Sequence, residues 1–538
     1  MKKLRICFTS DVHGYFNPVN YGTGKPEKSG LLSLASAFHK DENTLIIDGG
    51  DLLQGSPMAM YESSYGHDAS IFAKVMNLCG YDYVTIGNHD FNYGREYLLS
   101  YLGNLDGKCI CCNVDDLTGE LPLFSHQIRV MGNGLRVGLI GACTDYVNVW
   151  EKAENLKELR VRDVRAALEK EVSAIREQVD VLIGIYHGGF ECDLSDGKIL
   201  TESRENIGCE LCRELPFDLI CTGHQHMPVA GQMFEGTWIV QTAHNGKHFA
   251  EIELEVADED DGAAEAKADG AAGDRDFGVA DVDTMLSRGS AGEIQKQCGM
   301  RIGEMDRRSV YTWSSRLVPA SDEALASGVA LLADLEAEVQ TWLDTPVGHF
   351  DQPLLPGAKV DMAYYGSPIA DLFNRVQLYY SGAQLSCTSL GNDIQGFPAD
   401  VTARDIVSTY VYQNTLVVLE VTGKVLRQAL ERCGEYFDNS DGVLKVSEKF
   451  LKPKVEHYNY DFFMGIDYEF NVNQPEGSRV AKLEYQGQPV EDDQKFTLCM
   501  NNYRASGTGG YEFFVGCPVV KDIQMDMVEM IIGYLGKQ

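Results

Sequence analysis

Thr85-Ile86-Gly87-Asn88-His89-Asp90-Phe91-Asn92-Tyr93-Gly94 packs an amide, an imidazole and a carboxylate into one tight turn. Val84, Thr85 and Ile86 read as the end of a buried strand, and Gly87 permits a sharp turn from which Asn88 and His89 project at the strand's carboxyl end. Open α/β sheets place their chemistry there. An asparagine oxygen is a hard ligand, and His89 stands beside it. Taken alone, the stretch reads equally well as an ordinary turn in which Asn88 caps the next helix.

Four other apolar runs end in the same way. Residues 4 to 10 lead into Asp11-Val12-His13-Gly14, and Thr44 to Ile47 into Asp48-Gly49-Gly50-Asp51. Val181 to Tyr186 lead into His187-Gly188-Gly189, and Leu219 to Thr222 into Gly223-His224-Gln225-His226. A single histidine in such a place is more often a satisfied loop or core residue than a ligand. Together, Asp11, His13, Asp51, Asn88, His187, His224 and His226 supply N and O donors for two metal ions with one carboxylate shared.

Composition bounds the rest. A chain of 538 residues, 44% of them hydrophobic, exceeds one core and suits two large domains. The net charge of -34 argues against a nucleic-acid polymer or an anionic membrane as partner, because both need a basic surface to release counterions. Met1-Lys2-Lys3-Leu4-Arg5 has the charge of a signal peptide's start, but Thr9, Ser10 and Asp11 follow at once, so no apolar segment develops. The 15 scattered cysteines suit reduced core thiols better than a disulfide framework. These features lead us to expect a cytoplasmic protein. The apolar stretch Met525 to Tyr534 is too short to span a bilayer.

In their order along the chain, the spellings DVH, GGD, GNHD, YHGG and GHQH resemble the calcineurin-like metallophosphoesterases, specifically the branch of 5′-nucleotidases and 2′,3′-cyclic-nucleotide 2′-phosphodiesterase/3′-nucleotidases. The resemblance implies an α/β architecture: an N-terminal four-layer αββα sandwich and a C-terminal α/β nucleotide-binding domain. It implies that Asp11, His13, Asp51 and His226 hold one divalent ion and that Asp51, Asn88, His187 and His224 hold the other, with Mn, Zn, Co, Fe or Mg all admissible. His89 matches the family's catalytic histidine outside the coordination sphere. Two segments of the second half, Tyr410 to Leu416 and Asn501 to Gly507, resemble the family's nucleotide-binding motifs. By that likeness Tyr412 and Tyr503 sandwich the base, and Asn414 and Arg504 join the substrate contacts.

Departures from the pattern select the branch. Many 5′-nucleotidases carry Asp three residues after the catalytic histidine, where this chain has Asn92, and the glycine-rich stretch Thr508-Gly509-Gly510 lacks their acidic residue. No arginine of the phosphate-gripping kind lies near Asn392-Asp393. The spelling favours the cyclic-nucleotide branch. The expected activity is therefore hydrolysis of nucleotide phosphoesters by two metals about 3.5 Å apart, with Asn92 as the possible orienter of His89. The rivals are a 5′-nucleotidase or nucleotide-sugar hydrolase and, in another class, a catalytically silent nucleotide-binding protein; the latter is disfavoured because no ligand is missing.

The expected division is a dimetal domain over 1–320, a joining helix over 321–346 and a substrate-binding domain over 347–538. Within the first lies an acidic insertion at about 257–298, too poor in large apolar residues to order itself. The helix is read from the spacing of Leu325, Val329, Leu332, Leu335, Val339 and Leu343 before Pro346.

Overall fold

Alternation along the first strand, Lys2–Thr9, divides its side chains between two faces. Leu4, Ile6 and Phe8 enter one core, while Cys7 enters another. The computed structural model describes residues 1–257, 297–299 and 311–538, apart from positions 67, 152, 200–203, 413, 441, 453, 454, 524 and 538. The expected acidic insertion lies outside the described residues except at its two ends.

Lys2–Thr9 pairs in parallel with Thr44–Asp48, which pairs in parallel with Tyr83–Val84, within an eight-stranded sheet. A second, six-stranded sheet holds the parallel strands Arg136–Cys143, Val181–His187, Leu219–Thr222 and Thr237–Gln241. Leu45, Ile47 and Tyr83 from the first sheet meet Leu139, Ile183, Ile185 and Leu219 from the second in one core. The opposite faces are covered by helices: Ser70–Cys79 and Arg95–Gly103 pack on the first sheet, Val164–Ile175 and Gly208–Glu214 on the second. The result is helix, sheet, sheet, helix, the four-layer arrangement expected. Registers such as Thr9↔Asp48, Asp48↔Val84 and Tyr186↔Thr222 bring the carboxyl ends of the strands level, so the polar turns gather along one rim.

The second half builds its own core on a five-stranded sheet of Asp461–Met464, Leu385–Ser389, Lys495–Asn501, Leu416–Thr422 and Val519–Ile523. Helices Pro368–Ser381, Gly423–Gly434 and Met527–Leu535 contribute to that core.

The helix read from residue 321 begins at Ala326 and runs to Leu343. Its start is delayed because Ser321 Oγ bonds the carbonyl of Glu323, and Leu325 takes an extended conformation. Leu332, Val339 and Leu343 are buried in the core of the first sheet's helical layer. Glu336 accepts from Asn17 Nδ2 at 2.7 Å and from the hydroxyl of Tyr21 at 3.1 Å. Arg404, from the second half, donates to Asp344 Oδ1 and to the Tyr21 carbonyl. The helix is thus a packed part of the N-terminal layers to which the second half is tied.

Cysteine usage departs from expectation at one pair. Cys192 and Cys209 form a disulfide, brought together where the chain leaves Val181–His187 and returns with Gly208 N–H bonded to the Gly189 carbonyl. The other cysteines whose side chains are described form no disulfide and are buried, except for the half-buried Cys517. With one pair joined, cysteine content no longer argues for a reducing compartment. Among the described residues no helix is long and apolar enough to cross a membrane.

Candidate metal centre and nucleotide site

Each polar turn follows a strand end, and in three of the five the backbone reverses in a conformation few side chains adopt. Asp11, His13, Asp51, His224 and His226 all have φ between 52° and 70°, and they are five of the eight described non-glycine residues with positive φ. Strain of this kind, of order 1–3 kcal/mol per residue, persists where surrounding structure holds it and clusters at functional sites. The holding contacts are visible. Asp11 N–H bonds the Gly50 carbonyl, His13 N–H the Asp51 carbonyl, and His224 N–H the Oδ1 of Asp11. Gly50 and Gly87 touch: a Cβ on Gly87 would lie 2.1 Å from Asp51 Oδ1, and one on Gly50 2.4 Å from Gly87 N. Only glycine permits this approach of the two turns.

Two groups of ligand-type atoms result: Asp11, His13 and His226, and Asp51, His187 and His224, the atoms of each lying within 4.8 Å of one another. In the first, His13 Nε2 faces His226 Nε2 at 3.0 Å, with Asp11 Oδ1 3.4 Å from the latter. In the second, His187 Nε2 lies 3.1 Å from both Asp51 Oδ2 and Asn88 Oδ1, and His224 Nδ1 lies 2.9 Å from Asn88 Oδ1. Asn88 therefore turns its oxygen into the second group and caps no helix; the alternative left open by the sequence is removed. Its turn is a short 3-10 helix, Asn88–Phe91, after the strand Tyr83–Val84.

These residues fit divalent cations. Asp11 Oδ2 is buried without a hydrogen bond. The rings of His13 and His187 turn Nδ1 to the carbonyls of Gln54 and Gly49, which leaves Nε2 free for a metal. His224 does the reverse, with Nε2 2.8 Å from Glu205 Oε1 and Nδ1 toward Asn88. Burial holds the His13 imidazole neutral, down to about 3. Burial disfavours the charged form of His187 too, but the Asp51 carboxylate overrides it and raises the ring to about 10. Asp51 and Asp11 stay ionised against burial because of the surrounding histidines, His187 for Asp51 and His226 for Asp11.

His89 stands apart from both groups. Its backbone N–H bonds Asp51 Oδ1 at 2.7 Å, its ring centroid is 5.4 Å from that of His13, and its Nδ1 meets Asn92 Oδ1 at 2.8 Å.

Asp90 is a functional residue the sequence reading passed over, although it sits inside the quoted stretch. Its carboxylate accepts four backbone N–H groups, from Gly87, Asp51, Leu52 and Leu53, at 2.8–2.9 Å. Burial, with the charge of Asp51, raises it to about 6. It is the clamp that holds the Asp51 turn against the Asn88 turn. Asp90→Ala strands four buried donors and is expected to cost about 3–5 kcal/mol of stability, given about 1–3 kcal/mol for an unsatisfied buried group and partial relief by water. Urea unfolding measures this, and a loss under about 1 kcal/mol would show the turns to be held otherwise. Glu205 was missed as well, because no spacing rule links a loop carboxylate to His224.

In the second half, Tyr412 and Tyr503 are 37% and 39% exposed, and Tyr458 stands between them with ring centroids at 6.1 and 6.5 Å. Tyr458 was not foreseen. Asn414 is half-buried and turns Nδ2 to the hydroxyl of Tyr410 at 3.3 Å. Arg504 is not placed as a substrate contact: it is 1% exposed and ion-paired with Asp461 at 2.7 and 3.1 Å. Its remaining donors reach the carbonyls of Thr508 and Tyr458, and its guanidinium lies 3.9 Å from the Tyr511 ring centroid. A buried guanidinium donating four hydrogen bonds braces the segments carrying Tyr458 and Tyr503.

Comparison with known proteins accords with this geometry. Residues 4–228 match the calcineurin-like phosphoesterase family, and residues 346–516 match the 5′-nucleotidase C-terminal domain. The chain joins a calcineurin-like phosphoesterase domain to a 5′-nucleotidase C-terminal domain. It is 27% identical to the 2′,3′-cyclic-nucleotide 2′-phosphodiesterase/3′-nucleotidase of Salmonella typhimurium, over 94% of this chain and 81% of that one. It is 25% identical to the trifunctional nucleotide phosphoesterase protein YfkN of Bacillus subtilis, over 99% of this chain but only 38% of that longer protein. Among solved structures, a putative 5′-nucleotidase from Staphylococcus aureus superposes with a TM-score of 0.72 at 28% identity, covering 100% of this chain and 97% of that one. As a metallophosphoesterase with two groups of ligand-type residues, the chain is a phosphoric ester hydrolase that works with divalent metals.

Proposed function

We propose that this phosphoesterase opens 2′,3′-cyclic nucleotides and releases phosphate from nucleoside monophosphates. The observation that carries the reading is the two ligand groups sharing one rim with a histidine that belongs to neither. Asp11, His13 and His226 would hold one ion and Asn88, His187 and His224 the other, with Asp51 shared. When bound, the ions supply Lewis acidity and an activated water. His89 stabilises the charge that develops and protonates the leaving oxygen through Nε2. Tyr412 and Tyr503 hold the base, and Tyr458 extends the aromatic surface. The domain division is read as a dimetal domain over 1–320, a joining segment over 321–346 that carries the helix Ala326–Leu343, and a substrate domain over 347–538.

A 5′-nucleotidase reading is favoured by the resemblance to the Staphylococcus aureus structure. A Mn²⁺-supplemented panel of 2′,3′-cyclic AMP, 3′-AMP and 5′-AMP with phosphate readout decides between them. Turnover of the first two above the third supports the cyclic-nucleotide reading; turnover of 5′-AMP alone overturns it.

The aromatic clamp has its own test. Stacking is worth about 1–3 kcal/mol per base, so Tyr412→Ala or Tyr503→Ala should lower kcat/KM for a nucleotide by roughly 5- to 150-fold. Phe at either position should restore most of it. An aryl phosphate has no base to stack and should lose much less. Equal losses on both substrates with a large drop in Tm would make these rings packing residues.

A further inference from the structure

His89 is joined to a carboxylate that no motif marks. Asn92 accepts at Oδ1 from His89 Nδ1 at 2.8 Å and donates from Nδ2 to Glu151 Oε2 at 2.7 Å. Glu151 Oε1 in turn accepts from Asn155 Nδ2 at 2.8 Å, and that same amide group bonds the Asn92 carbonyl at 3.0 Å. Glu151 directly follows the short helix Val147–Trp150, beyond the strand Arg136–Cys143 of the second sheet, whereas His89 and Asn92 sit on a turn of the first. The connection therefore bridges the two sheets at the rim.

We propose that Glu151 is a positioning residue for His89, acting through Asn92 as a His–Asn–Glu relay. The proposal rests on the reading of His89 as the group that protonates the leaving oxygen. An amide can face either way, and its direction is set by its partners. A carboxylate only accepts, so Glu151 takes the NH₂ end of Asn92 and leaves the oxygen end facing His89. An oxygen there accepts the Nδ1 proton and keeps Nε2 as the reactive nitrogen. Nε2 has no hydrogen-bond partner among the described residues.

In the step served, on a ring protonated at both nitrogens, a water oxygen bonds to phosphorus and its protons leave with the released phosphate, while the bond from phosphorus to the ribose oxygen breaks and its electron pair passes to that oxygen. The oxygen takes the proton from Nε2. The neutral ring that remains keeps its other proton on Nδ1, where Asn92 accepts it. Without Glu151 the amide is free to turn its NH₂ to the ring, which favours the opposite tautomer. The negative charge sits one residue further from the imidazole than in a direct His–Asp pair.

Glu151→Gln preserves size while removing the acceptor-only character, and Glu151→Ala removes the group. Both are expected to lower kcat for 3′-AMP about tenfold or more, within the range general acid catalysis supplies, with KM and metal content unchanged. Loss on p-nitrophenyl phosphate, whose phenolate leaves without a proton, should be under about threefold on the same principle. Asn92→Asp alone sets two carboxylates against each other and should also be slow; combined with Glu151→Gln it should recover, because Asp then accepts from both the ring and the new amide.

A readout independent of metal is the His89 tautomer, followed by ¹⁵N NMR of histidine-labelled metal-free protein and assigned with His89→Gln. The wild type should carry its neutral-form proton on Nδ1, and Glu151→Ala should mix the tautomers. Unchanged kcat on 3′-AMP in Glu151→Gln, equal losses on both substrates, or an unchanged tautomer in Glu151→Ala would each overturn the relay. His89→Ala run in parallel separates the levels: if it loses turnover while the Glu151 variants do not, only the relay fails; if it too keeps turnover, the role of His89 fails with it.

Discussion

His187→Ala and Asn88→Ala should each purify with one tightly held metal ion in place of two and should lose at least about 10³-fold in kcat/KM, even on p-nitrophenyl phosphate. The physical reason is the convergence on Asn88 Oδ1. His187 Nε2 lies 3.1 Å from that oxygen and from Asp51 Oδ2, and His224 Nδ1 lies 2.9 Å from the same oxygen. On the proposed assignment, removing either side chain takes one donor from the second group and would leave Asp51 and the remaining donor too few to hold an ion tightly. A metal ion supplies several kcal/mol of transition-state stabilisation, and about 1.4 kcal/mol is a factor of ten, which sets the size of the loss. Elemental analysis after exhaustive dialysis is the measurement. Two ions retained in both variants would remove the ligand assignment, whatever the rates. His187 is fully buried, so its variant also opens a cavity and strands Asp51; a melting curve separates unfolding from loss of metal.

The second large effect belongs to His89→Ala, and its character differs. The variant should keep both ions and lose about 10²-fold or more in kcat on 3′-AMP with KM little changed, the pattern of a group that acts in the transition state. The structure motivates the difference. The ring of His89 lies edge-on to His13 at 5.4 Å and bonds Asn92, while only its backbone N–H touches Asp51. Alanine preserves that N–H, so the Asp51 turn keeps its contact. Metal lost from His89→Ala would place the imidazole in the coordination sphere and contradict its assigned role.

The five strand-end turns were legible in the chain because each joins an apolar run of period two to a polar, glycine-containing turn, a local pattern carried by a few adjacent residues. The donors at these turns pointed to two metals, and the family resemblance carried by their order implied the αββα architecture and the class of reaction. The side-chain pattern of the C-terminal motifs was legible too, but whether a ring is exposed or a guanidinium buried is not a local property. Arg504 belongs to the same motif as Tyr503, yet Asp461, 43 positions away, draws it into the core while the tyrosine stays at the surface.

Similarly, Asn88 as a helix cap and Asn88 facing a histidine pair are the same short sequence; only the arrival of His187 and His224 from the second sheet sets their nitrogens against its oxygen. The disulfide Cys192–Cys209, the Glu205 contact to His224 and the Glu151 contact to Asn92 depend on how loops cross the rim after both sheets have packed. Sequence alone determined which residue types stand at the strand ends, since strand and turn propensities act over a few residues. Tertiary structure decided which donors face which, because hydrogen-bond and ligand geometry is set by packing between segments distant in the chain.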